Sequence, residues 1–325
     1  MSKNLNNTEY QGTITFKTTG LYHVYLQGRE LPCTLSRQLY PGNNGSKTPQ
    51  RTGLDPVVGD RVQVSCNQAE QGVITAILPR ENQLSRRAAS PKPGGYAGEQ
   101  VIAANVDQVV PVFAIAQPIP KWNLLDRYLA LAESAGLPAL ICITKSDLIP
   151  QLDTQEREEL QDAIETYRRI GYPVHLTSSE NGEGLDNFRQ ALQGKISVFL
   201  GKSGVGKTSL LNAIQPGLGL RVGIVSAFTG KGKHTTTAMQ LLPLDDTTHI
   251  IDTPGTREFG LWDLDPDELE AFFPEFAPFL GHCKFRAGCK HEEEPGCAVR
   301  KAVMEGHIHP RRYQSYIRLK EDGLQ

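Results

Sequence analysis

The sequence predicts a multi-domain chain: an all-β barrel at the N-terminus, a central α/β domain, and a small, mostly helical C-terminal domain that binds metal. Three observations predict this. Short β-rich runs separated by glycines fill residues 12–80, apolar strands alternate with helical stretches from 105 to about 260, and three cysteines crowd with a histidine into residues 283–297. The boundaries read as 1–104, 105–262 and 263–325, with residues 1–10 and 81–100 as flexible stretches. A chain of 325 residues is long enough for two or three cores.

In the first part, Thr13-Ile14-Thr15-Phe16 and residues 22–26, 60–64 and 72–77 read as strands, punctuated by Gly20, Gly28, Gly59 and Gly72. About five short strands without a helix form a small barrel; an OB-type barrel, which often binds nucleic acid, is one solution, and other small barrels fit the pattern as well. Residues 81–100 hold Arg86, Arg87, Lys92, two prolines and Gly94-Gly95, the composition of a basic loop. Charge is segregated: residues 1–105 carry 11 Lys/Arg against 7 Asp/Glu, 106–297 carry 17 against 26, and 298–325 carry 6 against 3. Basic ends around an acidic centre point to ends that meet a polyanion, or to ordinary surface variation. No apolar run approaches the roughly 20 residues of a membrane helix, and the polar stretch 1–11 does not read as a secretory signal. A cytoplasmic protein with no membrane partner is expected, and a monomer.

In the central part, residues 109–116, 139–144, 174–177, 196–200, 239–244 and 249–252 read as strands. Helical stretches at 122–135, 155–170 and 185–192 lie between several of them, the alternation of a mostly parallel sheet with helices on both faces. Cys142, within Leu140-Ile141-Cys142-Ile143, reads as a small core residue.

The strongest motif is Gly201-Lys202-Ser203-Gly204-Val205-Gly206-Lys207-Thr208, followed by Ser209 and an apolar helical run, and preceded by the strand 196–200. This is a P-loop in its strand–loop–helix setting. Its glycines turn backbone N–H groups onto phosphate oxygens, and the helix N-terminus adds its positive end. Lys207 is expected on the β- and γ-phosphates, and Thr208 on Mg²⁺. Thr144-Lys145-Ser146-Asp147 resembles the guanine-reading Asn-Lys-x-Asp loop, with Thr144 in place of the amide that ties this loop to the base and the P-loop. Asp147 would accept from the guanine ring N–H and amine, and would be left unpaired by adenine. Thr177-Ser178-Ser179 resembles the loop that contacts the guanine oxygen, through Ser178 and Ser179. Asp252-Thr253-Pro254-Gly255 resembles the loop beside Mg²⁺ and the γ-phosphate, with Asp252 in the outer metal shell and the Gly255 N–H at the terminal phosphate. Within Thr235-Thr236-Thr237, Thr236 is the expected second Mg²⁺ ligand.

The base motifs precede the P-loop, the reverse of the usual succession, which makes the central domain a circularly permuted P-loop GTPase. Moving the termini is cheap where the native ends lie close together. The permutation also leads the 252–260 stretch directly into the C-terminal domain, so loss of the γ-phosphate could reposition that domain.

With these residues, the chain resembles the RsgA (YjeQ) family of small-ribosomal-subunit-dependent GTPases. The resemblance also rests on Ala104-Asn105-Val106-Asp107-Gln108, on His234-Thr235-Thr236-Thr237, and on residues 251–260. It implies an N-terminal OB-fold that binds RNA, a permuted GTPase core and a C-terminal zinc domain. The implied role is late maturation of the 30S subunit, with GTP hydrolysis stimulated by that subunit; its 16S rRNA and other 30S assembly factors are the implied partners. Conventional GTPases place a water-orienting Gln after Asp-x-x-Gly; here the position is Thr256, too short for that task. The resemblance assigns the catalytic role to His234, whose imidazole could orient the attacking water or act as a base; shaping a mobile switch or touching RNA is the alternative.

Cys283, Cys289, His291 and Cys297 supply three thiolates and one imidazole, a closed structural zinc set. Five residues separate the first two cysteines where the family usually has four, and His282 is the rival ligand. Glu292–Glu294 are expected in solvent. Arg300, Lys301, Arg311, Arg312, Arg318 and Lys320 make a basic tail that either meets rRNA or is one solvated helix face. Cys33 and Cys66 are expected to be buried or inert. Two other functions fit the motifs: an RNA-binding GTP switch in which hydrolysis is incidental, and an ATPase.

Overall fold

The structure, a computed structural model, describes residues 9–39, 55–66, 71–87, 99–218, 239–253, 264 and 266–323. In chain order its strands and helices are β1 (Glu9–Lys17), β2 (Tyr22–Leu26), β3 (Arg29–Leu35), β4 (Arg61–Cys66), β5 (Gly72–Ile77), β6 (Gln83–Arg87), β7 (Glu99–Ala104), β8 (Gln108–Ala114), α1 (Trp122–Ser134), β9 (Ile141–Thr144), α2 (Thr154–Ile170), β10 (Val174–Thr177), α3 (Leu185–Leu192), β11 (Ile196–Leu200), α4 (Lys207–Ile214), β12 (Gln240–Pro243), β13 (His249–Asp252), α5 (Ala298–Met304) and α6 (Pro310–Gly323). Two compact units result. One comprises Met1–Asp107, Leu192–Val198 and Ile224–Pro254; the other comprises Gln108–Ala191, Phe199–Gly223 and Gly255–Gln325.

In the first unit the pairings close on themselves. β1 pairs with β2, β2 with β3, β3 in parallel with β5, β5 with β4, and β4 again with β1. That circuit is a five-stranded barrel of OB type, and it removes the exposed sheet edges. An irregularity in register lies between Ile14 and Phe16 of β1, the strand that pairs with β2, β4 and β12. Alternation sends Ile14, Val24, Val62, Val64 and Ile74 into a core where each is fully buried. Cys33 lies buried in that core, where burial pushes its thiol up to about 11. Phe16 of β1 also opposes Gln240, which groups the antiparallel β12–β13 hairpin with the barrel.

The stretch 81–100 departs from its reading as a flexible loop: β6 and β7 pair antiparallel at its two ends, and residues 88–98 lie outside the described part. Local side chains fasten this hairpin. The Asn105 side chain donates to the Gly59 carbonyl and accepts from the Glu81 N–H, both at 2.9 Å, and Arg80 holds the buried Asp60 carboxylate at 2.7 Å. Asp107 accepts from the Ile196 N–H at 2.7 Å, a buckle between the hairpin's exit and β11.

In the second unit β8, β9 and β10 run parallel. All seven residues of β8 are buried, the mark of a strand covered on both faces. α2 begins with a reciprocal capping box between Asp153 and Glu156 and ends at Gly171, whose φ of 115° only glycine adopts readily.

The C-terminal residues of this unit pack around Leu269, Phe273, Phe276, Val299, Ile308 and Tyr316. Here the basic tail is corrected. Arg312 is fully buried, its guanidinium 2.8 Å from Asp126 on α1 and 2.6 Å from Glu275. The Tyr167 hydroxyl donates to the same Asp126 oxygen at 2.7 Å. Lys320 is buried and donates to the Lys290 carbonyl at 2.9 Å, and Arg311 lies over the Trp122 ring and 3.5 Å from Asp162. Three of the six tail cations therefore face inward, and the helix they lie on is neither one solvated face nor one RNA-binding face.

Candidate functional site

β8, β9 and β10 end in register, with Ala114 opposite Thr144 and Thr144 opposite Thr177. Ligands of parallel sheets bind beyond the C-terminal ends of the strands. The loops that continue β9 and β10, which begin at Thr144 and Ser178, are neighbours for this reason.

The phosphate loop stands beside them. Gly204 and Gly206 have φ of +83° and +92°, left-handed values that a side chain at either position would strain. A Cβ on Gly201 would stand 2.5 Å from the Val112 carbonyl oxygen, so the loop's first residue has no room for one. Gly206 caps α4, leaving the helix's first N–H groups for a ligand. Lys207 is buried and donates to the Gly201 carbonyl at 2.6 Å, which centres its ammonium over the loop. Thr208 and Ser209 occupy the first turn of α4 and are half-buried, as is Lys202; Ser203 is exposed.

Thr144 joins the two loops. Its hydroxyl lies 2.5 Å from the Val205 carbonyl and 3.2 Å from the Phe113 carbonyl. Thr144 lacks the usual amide, and its hydroxyl supplies a tie to the P-loop in its place. Lys145 adopts a φ of 63° and donates to the Gln117 carbonyl, with the Ala116 carbonyl at 3.5 Å. Its amine is thereby held while its stem is free to lie along a base. The Ser178 hydroxyl donates to Asp147 at 2.5 Å and accepts from the Glu180 N–H at 3.1 Å. Ser178 is fully buried, so the half-buried Asp147 carboxylate is aimed by a fixed donor. The Ser146 hydroxyl donates to Glu183 at 2.9 Å, tying the two base loops a second time, and Ser179 is half-buried beside them. The arrangement combines an anion cradle with a fixed carboxylate acceptor at one strand-end cluster.

Asp252, in the first unit, ends β13 and is buried. His234, Thr236 and Gly255, along with Thr235, Thr237 and Thr256, lie outside the described residues.

The ligand atoms of Cys283, Cys289, His291 and Cys297 all lie within 4.8 Å of one another, and all four residues are buried. His291 turns Nδ1 toward Cys297 and Cys283, at 3.3 and 3.5 Å from their sulfurs. Burial pushes the Cys289 thiol up to about 12 and raises that of Cys297, so the ionised set needs a cation at its centre. The Ala298 N–H points at the Cys283 sulfur at 3.2 Å and the Arg300 N–H at the Cys297 sulfur at 3.4 Å, donors suited to thiolates. The four residues thus fit a tetrahedral dication. His282 is exposed and stands apart from the cluster, which settles the choice between the two histidines. Between Cys283 and Cys289 the chain makes a 3-10 turn, Arg286–Gly288, with Arg286 at a φ of 46°.

Two partners escaped the sequence reading. The Glu270 carboxylate lies 2.8 Å from His291 Nε2, on the ring edge opposite the Nδ1 that faces the sulfurs. Its distance along the chain follows no ligand spacing, so no motif could reveal it. The Gln117 carbonyl that anchors Lys145 is a backbone group, which any residue would supply. Glu292 and Glu294 are also less free than expected: Glu292 lies 3.2 Å from Lys320, and Glu294 accepts from the Lys290 and Glu292 N–H groups at 2.9 Å each.

Comparison with known proteins agrees with this geometry. The profile of the family described as RsgA GTPase matches residues 77–262. A Gemmatimonas aurantiaca protein named small ribosomal subunit biogenesis GTPase RsgA is 42% identical over 319 residues, covering 97% of this chain and 98% of the relative. A Pseudomonas aeruginosa protein of the same name is 46% identical over 260 residues, 80% of this chain and 74% of its own length. Among solved structures, YjeQ from Thermotoga maritima superposes with a TM-score of 0.74 at 31% identity, covering 98% of this chain and 99% of the other. YloQ, described as a circularly permuted GTPase, gives 0.70 at 31% identity, covering 99% and 98%. With the family profile over most of the central region and a full-length relative above 40% identity, the chain belongs to the RsgA GTPase family.

Proposed function

We propose that this GTPase binds the small ribosomal subunit and acts in its late maturation, hydrolysing GTP faster when the subunit is bound. One observation carries the nucleotide half of the reading: Thr144 clasps the base loop to the phosphate loop at Val205 while Ser178 aims Asp147. A guanine held by Asp147 and Lys145, with Ser179 at its oxygen, would extend its phosphates over residues 201–209; Ser178, whose hydroxyl donates to Asp147 and whose N–H donates to the Glu183 carbonyl, would hold the loop in place and not donate to the base. Lys207 and the loop N–H groups would bind the β- and γ-phosphates. Thr208 and Thr236 would ligate Mg²⁺, with Asp252 in its outer shell; the ion neutralises charge that develops on the leaving phosphates. Gly255 would meet the terminal phosphate, and His234 would orient the attacking water. Zinc is the metal for the Cys₃His set, in a folding role, since four protein ligands leave no position for water.

The names of the relatives supply the ribosomal half, and the barrel supports it as a fold that often binds nucleic acid. For the domain organisation we adopt 1–104 as the barrel domain, 105–262 as the GTPase and 263–325 as the zinc domain, in a cytoplasmic monomer that contacts 16S rRNA and meets other assembly factors there. Among the described residues no helix is long and apolar enough to cross a membrane.

The test is GTP turnover with and without purified small subunits. Stimulation is expected; unchanged turnover sinks the ribosomal reading and leaves the nucleotide site standing. His234→Ala separates hydrolysis from switching. Loss of stimulated turnover with intact GTP and subunit binding makes hydrolysis the output, whereas normal maturation by that variant favours the RNA-binding switch.

A further inference from the structure

The inward-facing tail cations leave open which charges of the C-terminal region remain for a polyanion. Arg311, Arg312, Lys301 and Lys320 each have a carboxylate partner. Lys284, Arg286 and Lys290 are exposed and make no ion pair among the described residues. All three lie within one nine-residue stretch, 282–290, where the exposed His282 joins them. The acidic run that follows is largely engaged, Glu292 by Lys320 and Glu294 by backbone N–H groups, leaving Glu293 exposed.

In the middle of this stretch Phe285 is 49% exposed, the one aromatic among the large hydrophobic side chains that the described residues expose. The Lys284 ammonium lies 5.9 Å from its ring centroid. The loop beneath it is stiff. Arg286 N–H donates to the Cys283 carbonyl at 2.9 Å, Gly288 N–H to the Phe285 carbonyl at 3.0 Å, and Cys289 N–H to the Arg286 carbonyl at 3.1 Å. The Lys284 N–H donates to the Gly296 carbonyl at 3.1 Å, and metal-ligand cysteines bracket the loop at both ends. With its backbone held in this way, Phe285 presents an exposed aromatic ring beside Lys284, and less of the loop has to be ordered on binding.

We propose that the 283–289 loop is a stacking platform for an unpaired nucleobase of RNA, with Phe285 under the base and Lys284 and Arg286 on the adjoining phosphates. Single-stranded RNA is read in this way, by aromatic faces set among cations. A protein partner would need no free cations flanking the ring. The inference rests on the ribosomal reading given above and specifies which part of the chain touches RNA, and how.

The experiment measures affinity of the full, zinc-loaded chain for purified small subunits, with Phe285 as wild type, Phe285→Ala, Phe285→Trp and Phe285→Leu. Phe285 is on the surface, and each variant is first shown to retain wild-type zinc content and subunit-free GTP turnover. Phe285→Ala is expected to bind roughly tenfold more weakly, the size of one lost base stack. Phe285→Trp is expected to restore binding, and the added indole fluorescence to be quenched by a short single-stranded oligoribonucleotide. Lys284→Gln with Arg286→Gln is expected to lower the salt dependence of subunit binding by about two phosphate contacts. Unchanged affinity of Phe285→Ala overturns the platform while the ribosomal reading stands. Wild-type affinity of Phe285→Leu overturns it in favour of a protein contact, since leucine keeps the apolar bulk and loses the face. Failure of the wild type to bind subunits removes both readings.

Discussion

The Thr144 hydroxyl lies 2.5 Å from the Val205 carbonyl oxygen, joining the Thr144–Asp147 loop to the glycine-rich 201–208 loop through one proton. The same oxygen lies 3.2 Å from the Phe113 carbonyl at the end of β8, so a single residue gathers three segments. Thr144→Val keeps the shape and removes the donor, leaving two buried carbonyls to compete for none. Such a loss costs about 1–3 kcal/mol. GTP affinity, measured by fluorescent-nucleotide titration, is expected to fall roughly tenfold, and Thr144→Asn is expected to retain most of it by reaching the same carbonyl. Equal affinity for Thr144→Val and wild type would show that the clasp does not shape the pocket.

Asp147 accepts from Ser178 on one oxygen, which leaves its other lone pairs for a base. Asp147→Asn converts an acceptor into a partial donor. Preference is expected to pass from guanine to xanthine nucleotides, read by competition among GTP, XTP and ATP. Retention of GTP preference would exclude Asp147 from base recognition, and effective competition by ATP against the wild type would favour an ATPase.

Glu270 sits 2.8 Å from His291 Nε2, behind the ring whose Nδ1 faces the Cys283 and Cys297 sulfurs. Removing such an outer partner costs roughly 10- to 100-fold in metal affinity. Glu270→Gln is therefore expected to release zinc to a chromogenic chelator at lower chelator concentration than wild type, with Cys289→Ser losing the metal outright. Identical release curves for Glu270→Gln and wild type would show that the four ligands fix the ion without help from Glu270.

What the sequence displayed and what it hid follow from the range of the interactions. The P-loop and the ends of β10 and β13 are local patterns, visible as an apolar run followed by glycines or by short polar residues. β3 was hidden because Pro32 and two charged residues interrupt its run, although it pairs with β2 along its length. β6 and β7 were hidden because Arg86, Arg87 and the nearby prolines read as linker, while their pairing is decided across a gap in the chain. The candidate binding loops stand out in the sequence because nucleotide chemistry restricts which residues could serve there. Glu270 and Arg312 do not, since a surface carboxylate or a surface cation looks the same in composition as a buried, partnered one.

Arg312 provides the sharpest separation of those two cases. Its guanidinium contacts Asp126 at 2.8 Å and Glu275 at 2.6 Å, and its Cζ lies over the Phe273 ring, 4.4 Å from the centroid. Burial opposes ionisation of the arginine, but the two carboxylates outweigh it and hold the cation well above its ordinary range. Arg312→Met fills a similar volume and leaves Asp126 and Glu275 without a counterion in a dry environment. Breaking one side of a buried ion network costs about 3–5 kcal/mol. The urea midpoint of unfolding is expected to drop accordingly. Adding Asp126→Asn and Glu275→Gln to Arg312→Met is expected to recover much of the loss, because the penalty lies in the stranded charges and not in the missing pair. A basic residue serving RNA would behave in the opposite way. Arg312→Met would then leave the urea midpoint unchanged and weaken only binding to the small subunit, and that result would return Arg312 to the surface set.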